Sequence, residues 1–142
     1  MKASVLIVDD EAGVRSALSG VLRDENYFVD AVATGEACLE KATRGSYDAI
    51  VLDIWLPGMD GLATLQKLRE RRVDAPVIMI SGHGNIESAV RAIKMGAFDF
   101  VEKPLSLEKT VLAVTNAVRQ RRLEDENRKL RATTSLPVPF SP

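Results

Sequence analysis

A chain of 142 residues is long enough to form one domain with a sizeable core. Its 46% hydrophobic and 27% charged residues, with a net charge of −1, give no electrostatic reason to expect nucleic acid or an anionic membrane as partner. The single Cys38 excludes an intrachain disulfide and argues against zinc, and the apolar run Val5–Val8 is too short for a signal peptide or membrane span, so a cytoplasmic protein is expected.

In chain order, the first apolar run, Ser4–Val8, reads as a strand, and Val14, Leu18, Val21 and Leu22 then follow helical spacing. Phe28–Ala33 reads as a second strand, followed by a weaker helix from Thr34 marked by Leu39 and Ala42. Ala49–Leu52 is the third strand, and Leu62, Leu65 and Leu68 mark the third helix. Val77–Ile80 precedes a helix striped by Ile86, Ala89, Val90 and Ile93, with Gly96 at its C-cap. Phe98–Val101 precedes the last helix, marked by Leu107, Val111, Val114 and Val118. The runs are short and mostly rich in Val and Ile, as suits buried strands. Strict alternation of strand and helix predicts an α/β fold, a doubly wound five-stranded parallel sheet of order 2-1-3-4-5. Ligands bind such sheets outside the carboxyl ends of the strands, at the switch point between strands 1 and 3.

The polar residues gather at that edge. Strand 1 runs into Asp9, Asp10 and Glu11, strand 3 into Asp53, strand 4 into Ser81 and strand 5 into Glu102, Lys103 and Pro104. A lone Asp at a strand end is ordinarily a turn former or helix cap, a lone Ser a turn residue and a lone Lys a solvated charge. Convergence changes that reading. Three carboxylates about 5 Å apart would repel by roughly 3 kcal/mol per pair at an effective dielectric of 20, which invites a cation. Hard oxygen donors suit Mg²⁺, whose shell commonly includes a phosphate oxygen. Mg²⁺, Lys103 and Ser81 would hold an incoming phosphoryl group beside a carboxylate able to attack it.

The stretches "VLIVDDE", "DAIVLDIWLPGMDG", "PVIMISGHG" and "GAFDFVEKP" resemble the receiver domains of two-component response regulators, in order and approximate spacing, from Val5 to about Val118. The resemblance implies the flavodoxin-like (βα)5 receiver fold, a signalling domain rather than an enzyme, and a histidine kinase as partner. It implies Asp53 as phosphoacceptor. Asp10 would ligate Mg²⁺ directly, Asp9 through water, and Asp53 and the backbone carbonyl of Trp55 would complete the protein's share of the shell. Ser81 and Lys103 would bind phosphoryl oxygens, Ser81 and Phe100 would form the switch, and the Lys103–Pro104 bond would be cis. Pro57 and Gly58 would shape the loop, leaving the Asp53 carboxylate open to solvent. Trp55 reads either as a shield for the phosphoaspartate or as a packing residue, and His83, between glycines, as a loop residue without chemistry.

"LAVTNAVRQRRLEDENRKLR" extends the last helix to about Arg131, with Asn116, Leu123 and Leu130 seven apart and Glu124–Arg128 as an i,i+4 pair. The division expected is a receiver domain over 1–118, a helical linker with coiled-coil character over 119–131, and a disordered Pro/Ser-rich tail over 132–142. The Arg119–Arg122 cluster is followed at once by acidic residues and reads as a charged helix face.

This stretch, with "SGHGNIESAVRAIKMGAFDFVEKP", resembles the NtrC/NtrX branch of response regulators. The branch implies a homodimer through helix 4, strand 5 and helix 5 or through the C-terminal helix. It also implies AAA+ and DNA-binding domains elsewhere in a longer sigma-54 activator. Three rivals are weaker. A Mg²⁺-dependent phosphohydrolase of the haloacid dehalogenase type would carry its nucleophile on strand 1. A flavin-binding protein would not place three carboxylates against the FMN phosphate. A degenerate docking module would lack signature residues that are present here.

Overall fold

A computed structural model describes residues 2–82 and 86–133. Within them β1 (Ser4–Val8), α1 (Ala12–Asp24), β2 (Phe28–Val32), α2 (Gly35–Arg44), β3 (Ala49–Asp53), α3 (Gly61–Glu70), β4 (Val77–Ser81), α4 (Ile86–Lys94), β5 (Asp99–Glu102) and α5 (Leu107–Thr133) alternate without exception. The strands form one parallel sheet in the order β2-β1-β3-β4-β5, as the alternation and right-handed crossovers require. The single reversal in this order lies at β1 and β3, and it opens the crevice between their carboxyl ends.

Two apolar layers follow from the period of two along the central strands. Leu6, Val8, Ile50, Leu52 and Met79 face α2, α3 and α4, through Cys38, Leu39, Leu65, Leu68 and Ala92. Val5, Ile7, Val51, Ile78 and Ile80 face α1 and α5, through Leu18, Leu22, Val114 and Val118. Every residue of β3 and β4 is buried, so these two strands cannot shift without exposing both layers. They are the rigid rails for whatever their ends carry.

β2 is an edge strand, as the expected order 2-1-3-4-5 implies, with a neighbour on one side only. Phe28 is exposed there beneath the Lys2 ammonium, 4.6 Å from its ring centroid, and Asp30 accepts a 2.6 Å hydrogen bond from the Tyr47 hydroxyl. Ala132 and Thr133, expected in the tail, belong to α5, which runs unbroken past residue 118. A second correction, beside that of the helix end, concerns Asp53 and is described with the site. His83 and residues 134–142 lie outside the described residues.

Candidate functional site

Sheet register assembles the site. Val8 pairs with Leu52, so the next residues out, Asp9 and Asp53, leave the sheet side by side. Asp53 pairs with Ile80, and Ser81, one step further, pairs with Glu102. The Ser81 carbonyl accepts a 2.8 Å bond from the Lys103 backbone N–H, which carries Lys103 back over the crevice. The bond from Lys103 to Pro104 is cis.

The carboxylates divide their oxygens between local turns and the crevice. Asp9 Oδ1 accepts the Glu11 N–H at 2.9 Å, and Asp53 Oδ1 accepts the Trp55 N–H at 3.0 Å. The ordinary turn-forming role of a strand-end Asp is thus real for both, and it accounts for one oxygen each. The other oxygens face inward. Asp53 Oδ2 lies 3.4 Å from Lys103 Nζ, whereas Asp9 Oδ2 is buried and finds no hydrogen-bond partner among the described residues. Asp10 is exposed at the rim, and carboxylate oxygens of Asp9, Asp10 and Asp53 lie within 4.8 Å of one another.

This arrangement is electrostatically costly as it stands. Burial, with the nearby Asp53 and Glu11 charges, pushes the Asp9 carboxyl up to about 6 against the opposing Glu11 N–H and Lys103. Burial works to lower the Lys103 pKa, but the Asp53, Asp9 and Glu11 carboxylates outweigh it and the net direction is upward. One ammonium therefore faces a crowd of carboxylates. The unpartnered Asp9 oxygen, beside two further hard oxygen donors, is what a small divalent cation would satisfy, and the donor set fits Mg²⁺.

Glu11 sits at the N-cap of α1 but makes no side-chain cap; its carboxylate lies 3.5 Å from Lys103 Nζ instead. True caps occur at Thr34, which accepts from the Ala37 N–H, and at Asp60, which accepts from the Ala63 N–H and starts α3 beside the site. The Asp53 carboxylate is only 2% exposed, so the Pro57–Gly58 loop does not hold it open to solvent as expected. Lys103 closes over it from the side of β5, a neighbour that spacing along the chain does not reveal.

Trp55 lies with more than half its surface in solvent and is not a packing residue. Ser81 is buried at the end of β4, and Phe100 is half-buried against the layer containing Met79. Gly61, the first residue of α3, matters sterically. A Cβ there would collide with the Asp53 carbonyl and come within 2.6 Å of Ile54 Cα. Only glycine lets α3 start so close beneath the strand end that carries Asp53.

Residues 5–115 match the response regulator receiver domain. The chain belongs to this family. Among its relatives, the nitrogen assimilation regulatory protein NtrX of Azorhizobium caulinodans is 40% identical over 136 residues, which cover 94% of this chain and 30% of that protein. The C4-dicarboxylate transport transcriptional regulatory protein DctD of Rhizobium meliloti is 37% identical over 128 residues, covering 90% and 28%. Among solved structures, NtrX from Brucella abortus superposes with a TM-score of 0.88 at 39% identity, over 99% of this chain and 32% of that one. The isolated receiver domain of that NtrX gives 0.77 at 39% identity, over 81% and 98%. This receiver is therefore of the NtrC/NtrX type, and it spans about 30% of the length of the curated relatives named here.

Proposed function

We propose that this receiver takes a phosphoryl group from the phosphohistidine of a histidine kinase onto Asp53. The observation that carries the reading is the crevice itself, where three carboxylates lie within 4.8 Å of one another, an Asp9 oxygen lacks a partner, and Lys103 lies 3.4 Å from Asp53. An Asp53 carboxylate oxygen attacks phosphorus, a P–O bond forms, and the P–N bond breaks with its electron pair leaving on the imidazole nitrogen. Lys103 pairs with one phosphoryl oxygen and the Ser81 hydroxyl donates to another, both offsetting charge on the group in transit. Asp9, Asp10, Asp53 and the Trp55 carbonyl would hold Mg²⁺, which when bound screens carboxylates and phosphoryl oxygens from one another. The domain assists its own phosphorylation and dephosphorylation and is not otherwise an enzyme.

Drawing Ser81 toward the phosphoryl group vacates space beside β4, into which Phe100 turns, and the α4–β5–α5 face shifts its population. Val90, Ile93 and Leu112 are exposed on these elements and Phe98 just before β5, which supports that face as a homodimer surface. Leu123 and Leu130 are exposed seven residues apart on α5, which supports the extension as a second, coiled-coil contact. By likeness to the NtrC/NtrX branch, the output is transcriptional, through AAA+ and DNA-binding domains of a sigma-54 activator in the cytoplasm. No helix among the described residues is long and apolar enough to cross a membrane.

Intact mass after incubation with acetyl phosphate tests the chemistry. Wild type should gain about 80 Da, one phosphoryl group, only when Mg²⁺ is present, and Asp53→Asn should gain nothing. If neither protein gains mass while both remain folded, a docking module or a very short-lived phosphoaspartate is favoured. Trapping with beryllofluoride separates those two outcomes.

A further inference from the structure

A set of polar contacts lies at the opposite edge of the sheet, remote from the crevice, on the loop between α3 and β4. Three consecutive residues of that loop face two ways. The carbonyls of Val73 and Ala75 accept 2.7 Å and 2.9 Å bonds from Arg69 Nη1, and Arg69 Nη2 reaches on to the Gly96 carbonyl at 3.1 Å. Gly96 takes φ +103° directly after α4, so Arg69 ties the loop to the end of that helix. Between the two carbonyl residues, the Asp74 carboxylate points the other way. It lies 3.2 Å from Arg121 Nη1 and 3.7 Å from Arg128 Nη2, two turns apart on α5 beyond the receiver core. Asp125 bridges the same two arginines, 3.7 Å from each, and Glu124 lies 4.0 Å from Arg128.

We propose that residues 73–75 form a two-sided clamp that fixes the direction of the α5 extension and ties it to the position of the α4 C-terminus. Beyond Val118 no residue of α5 up to Leu130 is fully buried, so polar contacts are what add to the core packing of Val114 and Val118 in setting the angle of the extension. Here Arg121 is largely buried, its side chain 16% exposed, and its Nε and Nη1 make no hydrogen bond among the described residues, so Asp74 pairs with it and with Arg128 by charge, from a loop that Arg69 stiffens. Displacement of α4 pulls on Gly96, and Arg69 passes the pull to the two carbonyls flanking Asp74. The extension, in the place where a longer regulator would continue, is steered without passing through the α4–β5–α5 surface. The contacts that make the clamp involve no residue of the crevice, and its test does not depend on phosphorylation of Asp53.

Hydrogen–deuterium exchange of the 142-residue chain, read by mass spectrometry, provides the test. Asp74→Asn keeps the side-chain shape and removes the charge. Exchange over residues 122–130 should rise about threefold to tenfold, the scale of two partly exposed ion pairs, with β1 and β3 unmoved. Arg69→Gln should loosen residues 92–97 and also residues 122–130, although among the described residues its hydrogen bonds go to the loop and to Gly96. The clamp is refuted if Asp74→Asn leaves 122–130 at the wild-type rate. The tie to α4 is refuted if Arg69→Gln loosens 92–97 alone. Should Arg69→Gln fail to fold, Arg69→Lys, which keeps the charge but loses the fork, takes its place as the test of the tie, and a salt series on wild type tests the Asp74 contacts. Raising salt from about 0.01 M to about 1 M shortens the screening length from about 30 Å to about 3 Å. Exchange over 122–130 must rise with it, and a flat response overturns the proposal.

Discussion

Replacing Asp9 by Asn should make this protein more stable in the absence of divalent cations. Burial, aided by Asp53 and Glu11, raises the Asp9 carboxyl from its ordinary 3.8 to about 6. The folded state therefore binds this proton more tightly than the unfolded state does. The group's contribution to stability is fully present below about pH 4 and is lost as pH rises through about 6. A rise of about two units at 1.36 kcal/mol each makes the ionised Asp9 cost about 3 kcal/mol at neutral pH. Asparagine can still accept the Glu11 N–H, as Asp9 Oδ1 does, and carries no charge. In EDTA near pH 7.5 the variant should gain up to about 3 kcal/mol, or roughly 10 °C in melting temperature for a domain of this size. Near pH 3.5, below the unfolded value, the two proteins should converge. Mg²⁺ should reverse the ranking, because ligand binding stabilises wild type as RT ln(1 + [Mg²⁺]/Kd) and the variant has lost a donor. Urea melts followed by circular dichroism, with EDTA or Mg²⁺ at both pH values, provide the measurement. An Asn variant no more stable than wild type in EDTA at neutral pH would refute the electrostatic account. So would an equal gain from Mg²⁺ in both proteins.

Lys103→Met removes the ammonium that faces the 2% exposed Asp53 carboxylate. With Lys103 itself about a quarter exposed, the loss should be about 1–3 kcal/mol in EDTA, below the range for fully buried pairs. Mg²⁺ should recover more of the lost stability than it adds to wild type, and the rate of phosphorylation by acetyl phosphate should fall. Gly61→Ala forces a Cβ against the Asp53 carbonyl and Ile54, so overpacking should cost about 1–3 kcal/mol by urea denaturation. Because the strain falls on the backbone that carries Asp53, the phosphorylation rate should fall too, and an unchanged rate in folded protein would sink that argument.

The elements were legible because each local signal agreed with the global fold. The apolar run Val77–Ile80 reads as a buried strand in sequence, and it is buried on both faces in the sheet. The helix start at Thr34 was legible for the same reason, since its hydroxyl caps the Ala37 N–H. Composition alone does not mark Phe28–Val32 as an edge, and it was the strand order inferred from the alternation and the crossovers that placed it there. At the crevice, residue type and chain order suggested Asp9, Asp10, Asp53, Ser81 and Lys103 as a set. Neither indicated that Asp53 would be almost closed off, because the side chain that covers it is fifty residues away.

By itself, then, the sequence determined the alternation, the parallel sheet and the acids delivered to its carboxyl edge, because these depend on local periodicity and on the handedness of crossovers. Tertiary structure decided which oxygen of each acid serves a turn and which faces the crevice, and why residue 61 is glycine. It also decided that Asp74, an unremarked loop residue in sequence, holds two arginines of α5. These are matters of distance between segments remote in the chain, set by close packing of two apolar layers, and no local pattern encodes them.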